Sequence, residues 1–508
     1  MDQEKTPLLD ALKGYVEENV IPFHVPGHKQ GRGNPELRKY IGSKVLKMDV
    51  NGMKELDYIG NPSGVIAEAQ HLCAEAFGAE QAYFLVNGTS SGVQAMIMSA
   101  CNPGNEIIIP RNAHKSTIGA IILSGAIPVY VQPQVNKVLG IATGVSAESI
   151  QKAIEEHPQA KAVFIINPSY YGIHSDLKSI VEISHQANMT VLADEAHGAH
   201  LYFHPEFSLN AIEAGADMSA VSLHKTGGAM TQSSVLLHQG DRISVDRVKQ
   251  VLQLSYTSSA SYILMLSIDV ARKQLATRGQ LLLNKTLALA RQARQELNDI
   301  EDIYAFGKEL IGSPGCADFD ETKLGIHVRK LGLTGYQIER ILRERYKIQI
   351  EFSDIYNALA IVSLGDQREN LRKLVAAFRE IADERETKDA SKWFNIPFCP
   401  EMIVTPRDAF YSPKRIVPLE LSSGEISGEM IMAYPPGIPV ICMGERITQE
   451  IIEYIQLLQV EGCELQGATD AGINHIKVLG SALPQASVSK SVSPSRSAYQ
   501  EIPVYLSP

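Results

Sequence analysis

The chain has 508 residues, 44% hydrophobic and 20% charged, which excludes a disordered chain or a coiled coil and leaves room for two to four domains at roughly 150 residues each. With 47 Lys+Arg against 57 Asp+Glu the net charge is −10, the wrong sign for tracking a phosphate backbone, so no nucleic-acid partner is expected. The first residues are polar, no apolar run reaches bilayer length, and the six cysteines are scattered without a CxxC pair; no signal peptide, membrane contact, disulfide framework or zinc site is expected, and the compartment expected is the cytoplasm.

After the stretch Phe23-His-Val-Pro-Gly-His-Lys-Gln-Gly-Arg-Gly33 a regular alternation begins. Ser63 is placed to N-cap a helix whose apolar positions Val65, Ile66, Ala69, Leu72, Cys73, Ala76 and Phe77 recur at helical spacing before Gly78. Strands are expected at 82–86, 106–109, 127–131, 162–166, 190–193 and 220–223, with a further apolar run at 235–237 and helices at 93–101, 116–123, 147–156 and 177–187. Short, continuously apolar strands separated by helices require a sheet covered on both faces, so residues 60–280 predict an α/β domain with a mostly parallel sheet. A long helix at 275–297 leads to a strand at 325–329, a helix opened by Thr334 with Gln337 at capping-box spacing, strands at 348–352 and 358–362, and a helix from Asp366 through Ile381. The resulting organisation is an N-terminal arm (1–60), a large domain (61–285), a small α+β domain (286–392), a Pro-rich C-terminal α+β domain (393–470) and a tail (471–508) whose Ser/Pro/Val-rich end from 481 reads as disordered.

Three features carry chemistry. Asn87-Gly-Thr-Ser-Ser-Gly92 joins a strand to a helix, where small residues, hydroxyls and the helix N-terminus suit an anion, although such a loop can equally just turn a corner. Asp194, in Val191-Leu-Ala-Asp-Glu-Ala-His197, follows a buried strand at the end where parallel sheets bind ligands; it could also simply cap the next helix. Lys225 ends the strand of Ala220-Val-Ser-Leu-His-Lys-Thr-Gly-Gly228, where an ordinary lysine would be solvated. In this order within one sheet they fit pyridoxal 5'-phosphate, with the phosphate on the loop, the carboxylate on the pyridine nitrogen and the lysine bonded to the aldehyde. His24 with His28, and His197 with His200, lack an acidic or thiol partner at ligand spacing, so no metal is expected. Tyr170 and Tyr171 read equally as core or as site lining.

Seven segments then occur in one order: Phe23-His-Val-Pro-Gly-His28, Asn87-Gly-Thr-Ser90, Arg111-Asn-Ala-His-Lys-Ser116, Asp194-Glu-Ala-His197, Ser222-Leu-His-Lys225, Thr257-Ser-Ser-Ala-Ser-Tyr262 and Tyr434-Pro-Pro-Gly-Ile-Pro439. In them the chain resembles the prokaryotic ornithine/lysine/arginine decarboxylases, which have the aspartate-aminotransferase fold (PLP fold type I). The resemblance implies that Lys225 bonds the cofactor and Asp194 pairs with its ring nitrogen. It puts Ala196 against one ring face, His114 on the other, His197 beside the cofactor, and Thr89, Ser90, Ser222 and His224 around the phosphate. Ser258, in the 257–259 stretch, resembles a residue lent by a neighbouring subunit, which implies a homodimer or dimer-based oligomer with sites at the subunit interface. Only about twenty residues precede the Pro-Gly-His segment, so the N-terminal wing of the large acid-inducible members is expected to be absent, as in the short members that look like biosynthetic arginine decarboxylases.

The implied activity is decarboxylation of a basic L-amino acid, L-arginine to agmatine and CO2, for polyamine biosynthesis, with Lys225 or His114 returning a proton. Lysine and ornithine remain alternative substrates. More remote readings are an aminotransferase or lyase, for which Arg329, Arg340 and Arg343 could grip a carboxylate, and a non-catalytic cofactor-binding paralogue. For the cationic tip of the substrate the candidate acids are Glu420, Glu425, Glu429 and Glu445, each also readable as solvated or structural.

Overall fold

Apolar residues alternate between two faces of a central seven-stranded sheet. Its strands are β1 (Gln81–Leu85), β2 (Glu106–Pro110), β3 (Ile127–Val131), β4 (Ala162–Ile166), β5 (Thr190–Glu195), β6 (Met218–Val221) and β7 (Ser234–His238), in the order β1-β7-β6-β5-β4-β2-β3. Ile107, Ile109, Phe164 and Leu192 enter one core with helix Gly88–Ala100, whereas Ile108, Val163, Ile165 and Val191 enter another with helices Ala147–Glu156 and Leu177–Gln186. Period-two strands with both faces apolar are what a doubly covered sheet requires. The computed structural model that gives this arrangement describes residues 1–384, 400–434 and 437–480; the end of the tail expected to be disordered and the 392/393 boundary lie outside the described residues.

The sheet is parallel from β3 to β6, and β7 runs antiparallel to both its neighbours, β1 and β6. The 222–233 connection holds only a four-residue helix, Leu223–Thr226, too little to recross the sheet, so the chain returns as a hairpin.

Several local expectations need correction. Ser63 is not the N-cap of helix Val65–Ala76; Gly64 is, without a side-chain cap. The carboxylate of Asp57 does the capping from outside the helix, accepting the N–H groups of Ser63 (3.0 Å), Gly64 (2.7 Å) and Ile66 (3.1 Å). Burial pushes the Asp57 carboxyl up, yet these backbone donors prevail and hold it below its usual value. The long helix begins at Tyr262, thirteen residues earlier than expected, and runs to Asn298, with Ser261 as its N-cap. Met265, Ile268 and Leu275 pack in the large domain's core, Leu289, Ala293 and Leu297 in the small domain's. One rigid element therefore serves both cores, and residue 285 falls inside it.

Before residue 60, helix Pro7–Glu17 buries Leu8 and Leu12 against Ile66, Met265 and Ile268. A buried Asp269–Arg272 pair (2.6 Å) anchors it: Arg272 donates to the carbonyls of Gln3 (2.7 Å) and Lys5 (2.6 Å), and Asp269 accepts Leu8 N–H (3.1 Å).

The small domain's antiparallel sheet runs Tyr304–Phe306, Lys323–His327, Asn357–Ile361, Phe352–Ser353, so the strand expected at 348–352 is reduced to its end. Thr334 and Gln337 form the capping box of helix Gly335–Arg345. Beyond residue 400, a three-stranded sheet and helix Gln449–Val460 enclose a separate core around Ile431, Ile441 and Ile455. This unit docks on the large domain through Arg111, whose Nε and Nη2 donate to both carboxylate oxygens of Glu445 at 2.8 Å.

Candidate active site

A cavity of about 390 Å³ opens at the carboxyl ends of the parallel strands. It brings together Thr89, Ser90, His114, Asp194, Ala196, His197, Ser222, His224 and Lys225 from four segments of sequence. Ser258, by contrast, is exposed and does not line it.

The segment expected as a loop, 87–92, is mostly helix. Helix Gly88–Ala100 begins five residues before its predicted start, because Gly92 lets it lie directly on the sheet. A Cβ there would stand 2.8 Å from Leu85 Cδ1 and 3.0 Å from Ala220 Cβ. The first N–H groups of a helix have no intrahelical acceptor. That of Gly88 goes to the Gln232 carbonyl (2.9 Å), while Thr89 and Ser90 in the same turn line the cavity. The Thr89 hydroxyl bonds those of Ser222 and, at 3.1 Å, Ser234. Three element ends are thereby tied into one polar cradle at a helix N-terminus, the arrangement that suits a phosphate. His224 donates its Nδ1–H to the Ser233 carbonyl (3.1 Å), leaving Nε2 uncommitted to that loop.

Asp194 is the penultimate but buried residue of β5. Its Oδ1 accepts the Ala196 N–H at 3.0 Å. Burial raises the Asp194 pKa; the Ala196 N–H and the Lys225 charge only partly oppose this. Lys225 lies one short turn past β6 rather than on the strand itself, in helix Leu223–Thr226. Its Nζ stands 2.9 Å from His197 Nε2 and 5.5 Å from the centre of the Tyr170 ring. Burial lowers the Lys225 pKa, against the opposing charges of Asp194 and Glu351. His197 is buried and held neutral, its pKa well below the usual value because of burial and then Lys225 and Lys323; its Nδ1 has no partner among the described residues.

For His114 the structural and the site-lining readings both hold. It is the N-cap of helix Lys115–Ser124, with Nδ1 accepting the Ser116 N–H (3.2 Å) and hydroxyl (2.8 Å), and its ring lines the cavity. The proton of the neutral imidazole is therefore on Nε2. Burial, then the charges of Lys225 and Lys115, bring its pKa down to about 4. Gly437 of the C-terminal unit closes over this atom: its φ is +90°, and a Cβ would come within 3.0 Å of His114 Nε2. Tyr170 and Tyr171 divide between the two readings. Tyr170 lines the cavity, its ring 4.5 Å from that of His197, whereas Tyr171 is buried and donates to Asp354.

None of the four acids proposed for the substrate tip lines the cavity. Glu445 is consumed by Arg111, Glu429 by Thr469 and the Lys477 N–H (3.0 Å), and Glu425 by Arg415 (2.7 Å); Glu420 is exposed elsewhere. The acid that does line it is Glu351, which no motif flagged. Lys115, in the segment Arg111–Ser116, and Tyr434, which opens Tyr434–Pro439, also line it. His24 and His28 bond Tyr15 (2.8 Å) and Asp49 (3.0 Å).

The residues present fit pyridoxal phosphate. Asp194 is a buried carboxylate with no cationic hydrogen-bond partner among the described residues, which a protonated ring nitrogen would supply. Lys225 is an amine of lowered basicity, and the hydroxyl cradle matches a dianion. That fit, on this sheet topology, defines a PLP enzyme of fold type I. A family model described as Orn/Lys/Arg decarboxylase, major domain, matches residues 6–370, and one for the C-terminal domain matches 388–469. The chain belongs to the Orn/Lys/Arg decarboxylase family. It is 46% identical over 483 residues to the arginine decarboxylase of Bacillus subtilis (strain 168), covering 94% of this chain and 99% of that one. Among solved structures it is similar to the Francisella novicida lysine decarboxylase, with TM-score 0.81 and 23% identity over 94% of this chain and 81% of that chain. A more distant likeness, TM-score 0.51 and 14% identity over 64% of this chain and 88% of that one, is to an alanine–glyoxylate aminotransferase from Nostoc sp..

Proposed function

We propose that this protein decarboxylates L-arginine to agmatine and CO2. The observation that carries the substrate is the 46% identity, across nearly the full length of both chains, to a relative named arginine decarboxylase. The cavity agrees with loss of a carboxylate rather than its retention: among the described residues no arginine lines it, and Arg329, Arg340 and Arg343 stand outside. A tight grip on that group would stabilise the ground state.

When bound, pyridoxal phosphate supplies an aldehyde that bonds an amine and a cationic ring that takes up the electron pair left by the departing CO2. Lys225 holds its place by its amine, whose lowered basicity keeps a useful fraction neutral. Asp194 would keep the ring nitrogen protonated, and Ala196 and His114, which line the same cavity, would lie beside the ring. Thr89, Ser90, Ser222 and His224 hold the phosphate, and His197 sets the position of Lys225 through its 2.9 Å contact. The proton that replaces CO2 at Cα would come from Lys225 Nζ or from His114, two of the donors that line the cavity.

The active unit is a homodimer with Ser258 facing the partner's cavity. Its support is the apolar surface of the N-terminal arm, where Ile21, Phe23 and Tyr40 are 75%, 94% and 78% exposed, with Leu254 at 80% close in sequence to Ser258. Agmatine production assigns the enzyme to polyamine biosynthesis. A reducing cytoplasm suits the five described cysteines, all free; no helix among the described residues is long and apolar enough to cross a membrane.

The test is CO2 release from carboxyl-labelled arginine, lysine and ornithine. Arginine should lead the others in kcat/KM by on the order of 100-fold, the discrimination a bidentate charged contact gives. Preference for lysine or ornithine would overturn the substrate, and amino-group transfer without CO2 would overturn the reaction.

A further inference from the structure

Asp320 belongs to the small domain, is buried, and does not line the cavity, yet two of its hydrogen bonds end on the segments that hold His197. Its Oδ2 accepts the Nε2–H of His200 at 2.9 Å, and its backbone N–H donates to the Gly172 carbonyl at 2.7 Å. His200 lies three residues past His197, in the bend that follows β5. That bend is tight and buried: the Gly198 N–H donates to the Glu195 carbonyl at 2.8 Å, and Ala199 is fully enclosed. Gly172 lies two residues past Tyr170, whose ring centre stands 4.5 Å from that of His197. One small-domain residue therefore anchors both the bend that carries His197 and the segment whose ring packs on it.

The anchor is itself fixed. Asp320 Oδ1 accepts the N–H (2.9 Å) and hydroxyl (2.7 Å) of Thr322, and Lys323 Nζ lies 3.1 Å from Oδ2. Strand Asp318–Phe319 pairs with Ile173–His174, which sets the register between the two domains. Gly172 leaves no slack: its φ is +83°, and a Cβ there would stand 2.8 Å from Lys323 Cγ and 2.9 Å from the Asp320 carbonyl oxygen. Asp320 can act on the reaction only through His197, whose Nε2 is 2.9 Å from Lys225 Nζ. We propose that Asp320 is a positioning residue: through His200 and Gly172 it sets the His197 imidazole against Lys225, so that the amine is correctly held only when the small domain is seated. This inference rests on the reading of Lys225 as the lysine that bonds the cofactor.

His200→Phe keeps a ring beside Phe207, now 4.6 Å away and edge-on, but offers Asp320 no donor; His200→Gln keeps an N–H near the place of Nε2. The rate at which apoenzyme bonds added pyridoxal phosphate, followed by visible absorbance, should fall about 10-fold in His200→Phe and return to within about threefold of wild type in His200→Gln. With arginine, kcat per bound cofactor should fall about 10- to 100-fold in His200→Phe while KM changes less than about threefold, as expected when geometry at the reacting amine is lost and substrate binding is kept. A merely structural role would lower resistance to urea without moving either quantity in the folded fraction. Gly172→Ala strains the second arm and should give the same split between kcat and KM, so it decides the matter if His200→Phe does not fold. Capture and turnover within about twofold of wild type in the folded variant, or equal losses in His200→Phe and His200→Gln, overturn the assignment. Borohydride reduction and peptide mapping that place the cofactor on another lysine of the wild-type protein instead sink the reading of Lys225, so the two failures are distinct.

Discussion

Lys225 Nζ and His197 Nε2 stand 2.9 Å apart on the floor of the cavity, and both groups are biased toward their neutral forms. Burial is the main cause for each, and each neighbour's positive form would repel the other. Asp194 works against this bias: its negative charge raises the proton affinity of Lys225. The amine is thus balanced between a low-dielectric site that strips its proton and a carboxylate that favours it.

That balance predicts the direction of a pH shift. In apoenzyme, Asp194→Asn removes the negative charge that acts most strongly on Lys225 while leaving the burial. The ammonium loses support, so the midpoint for reaction of Lys225 with an amine-directed reagent should move to lower pH than in wild type. Peptide mapping of labelled Lys225 across a pH series measures it. A midpoint that stays put or rises would show that Asp194 does not set the charge at this amine.

The two jobs of His114 can be separated. His114→Asn retains a side chain able to accept the Ser116 N–H, whereas His114→Ala retains none. The alanine variant should therefore lose about 0.5–2 kcal/mol of stability, the usual worth of an N-cap, and the asparagine variant much less. Both lose the ring, and both should lose activity by on the order of 100-fold if Nε2–H is a proton donor. Denaturant unfolding beside steady-state rates checks this; an asparagine variant with wild-type turnover would reduce His114 to a cap.

How much was legible follows from where each signal resides. Strands 127–131 and 162–166 and helix 147–156 are bounded as read, because alternation, apolar runs and a local N-cap at Ser146 all lie within a few residues. The start of helix Gly88–Ala100 was misplaced because Gly88, Thr89, Ser90, Ser91 and Gly92 are poor helix formers; packing of Gly92 on Leu85 and Ala220 overrides propensity. Asp57 capping a helix that Ser63 was expected to cap is a contact made through a turn, with no local pattern. The start at Tyr262 does carry a local signal, Ser261, whose hydroxyl caps the helix by accepting the Leu264 N–H at 3.4 Å. That Lys225, Asp194, Thr89 and Ser222 come together in one cavity was readable because each lies at, or just beyond, the end of a recognisable strand. Glu445 and Glu351 were not separable: one meets Arg111 across 334 residues of sequence, the other reaches the cavity only once the small domain has folded.

The seam between the two domains supplies the last prediction. Strand Asp318–Phe319 of the small domain pairs with Ile173–His174 of the large one, and the Asp320 N–H donates to the Gly172 carbonyl at 2.7 Å. Immediately beside this ladder Lys323 and Asp320 form an ion pair at 3.1 Å with both side chains fully buried, and His200 donates its Nε2–H to the same Asp320 oxygen at 2.9 Å. The other oxygen accepts the N–H (2.9 Å) and hydroxyl (2.7 Å) of Thr322. Burial pushes the Asp320 carboxyl up, but Lys323 and His200 outweigh it and hold the group well below the usual carboxylate range. Its folded pKa is therefore depressed, so its ionisation stabilises the fold above the unfolded value of about 4 and this contribution is lost as pH falls through the folded pKa. Lys323→Met strands a buried carboxylate and should cost about 3–5 kcal/mol at neutral pH. The double variant Asp320→Asn with Lys323→Met should cost less than Lys323→Met alone, because no charge remains to be buried. Urea unfolding at neutral pH and again near pH 4 measures both, and the Lys323→Met deficit should shrink in acid as the stranded carboxylate takes up a proton. A deficit below about 1 kcal/mol, or one that grows in acid, would mean that the pair does not hold the seam in the manner its geometry describes.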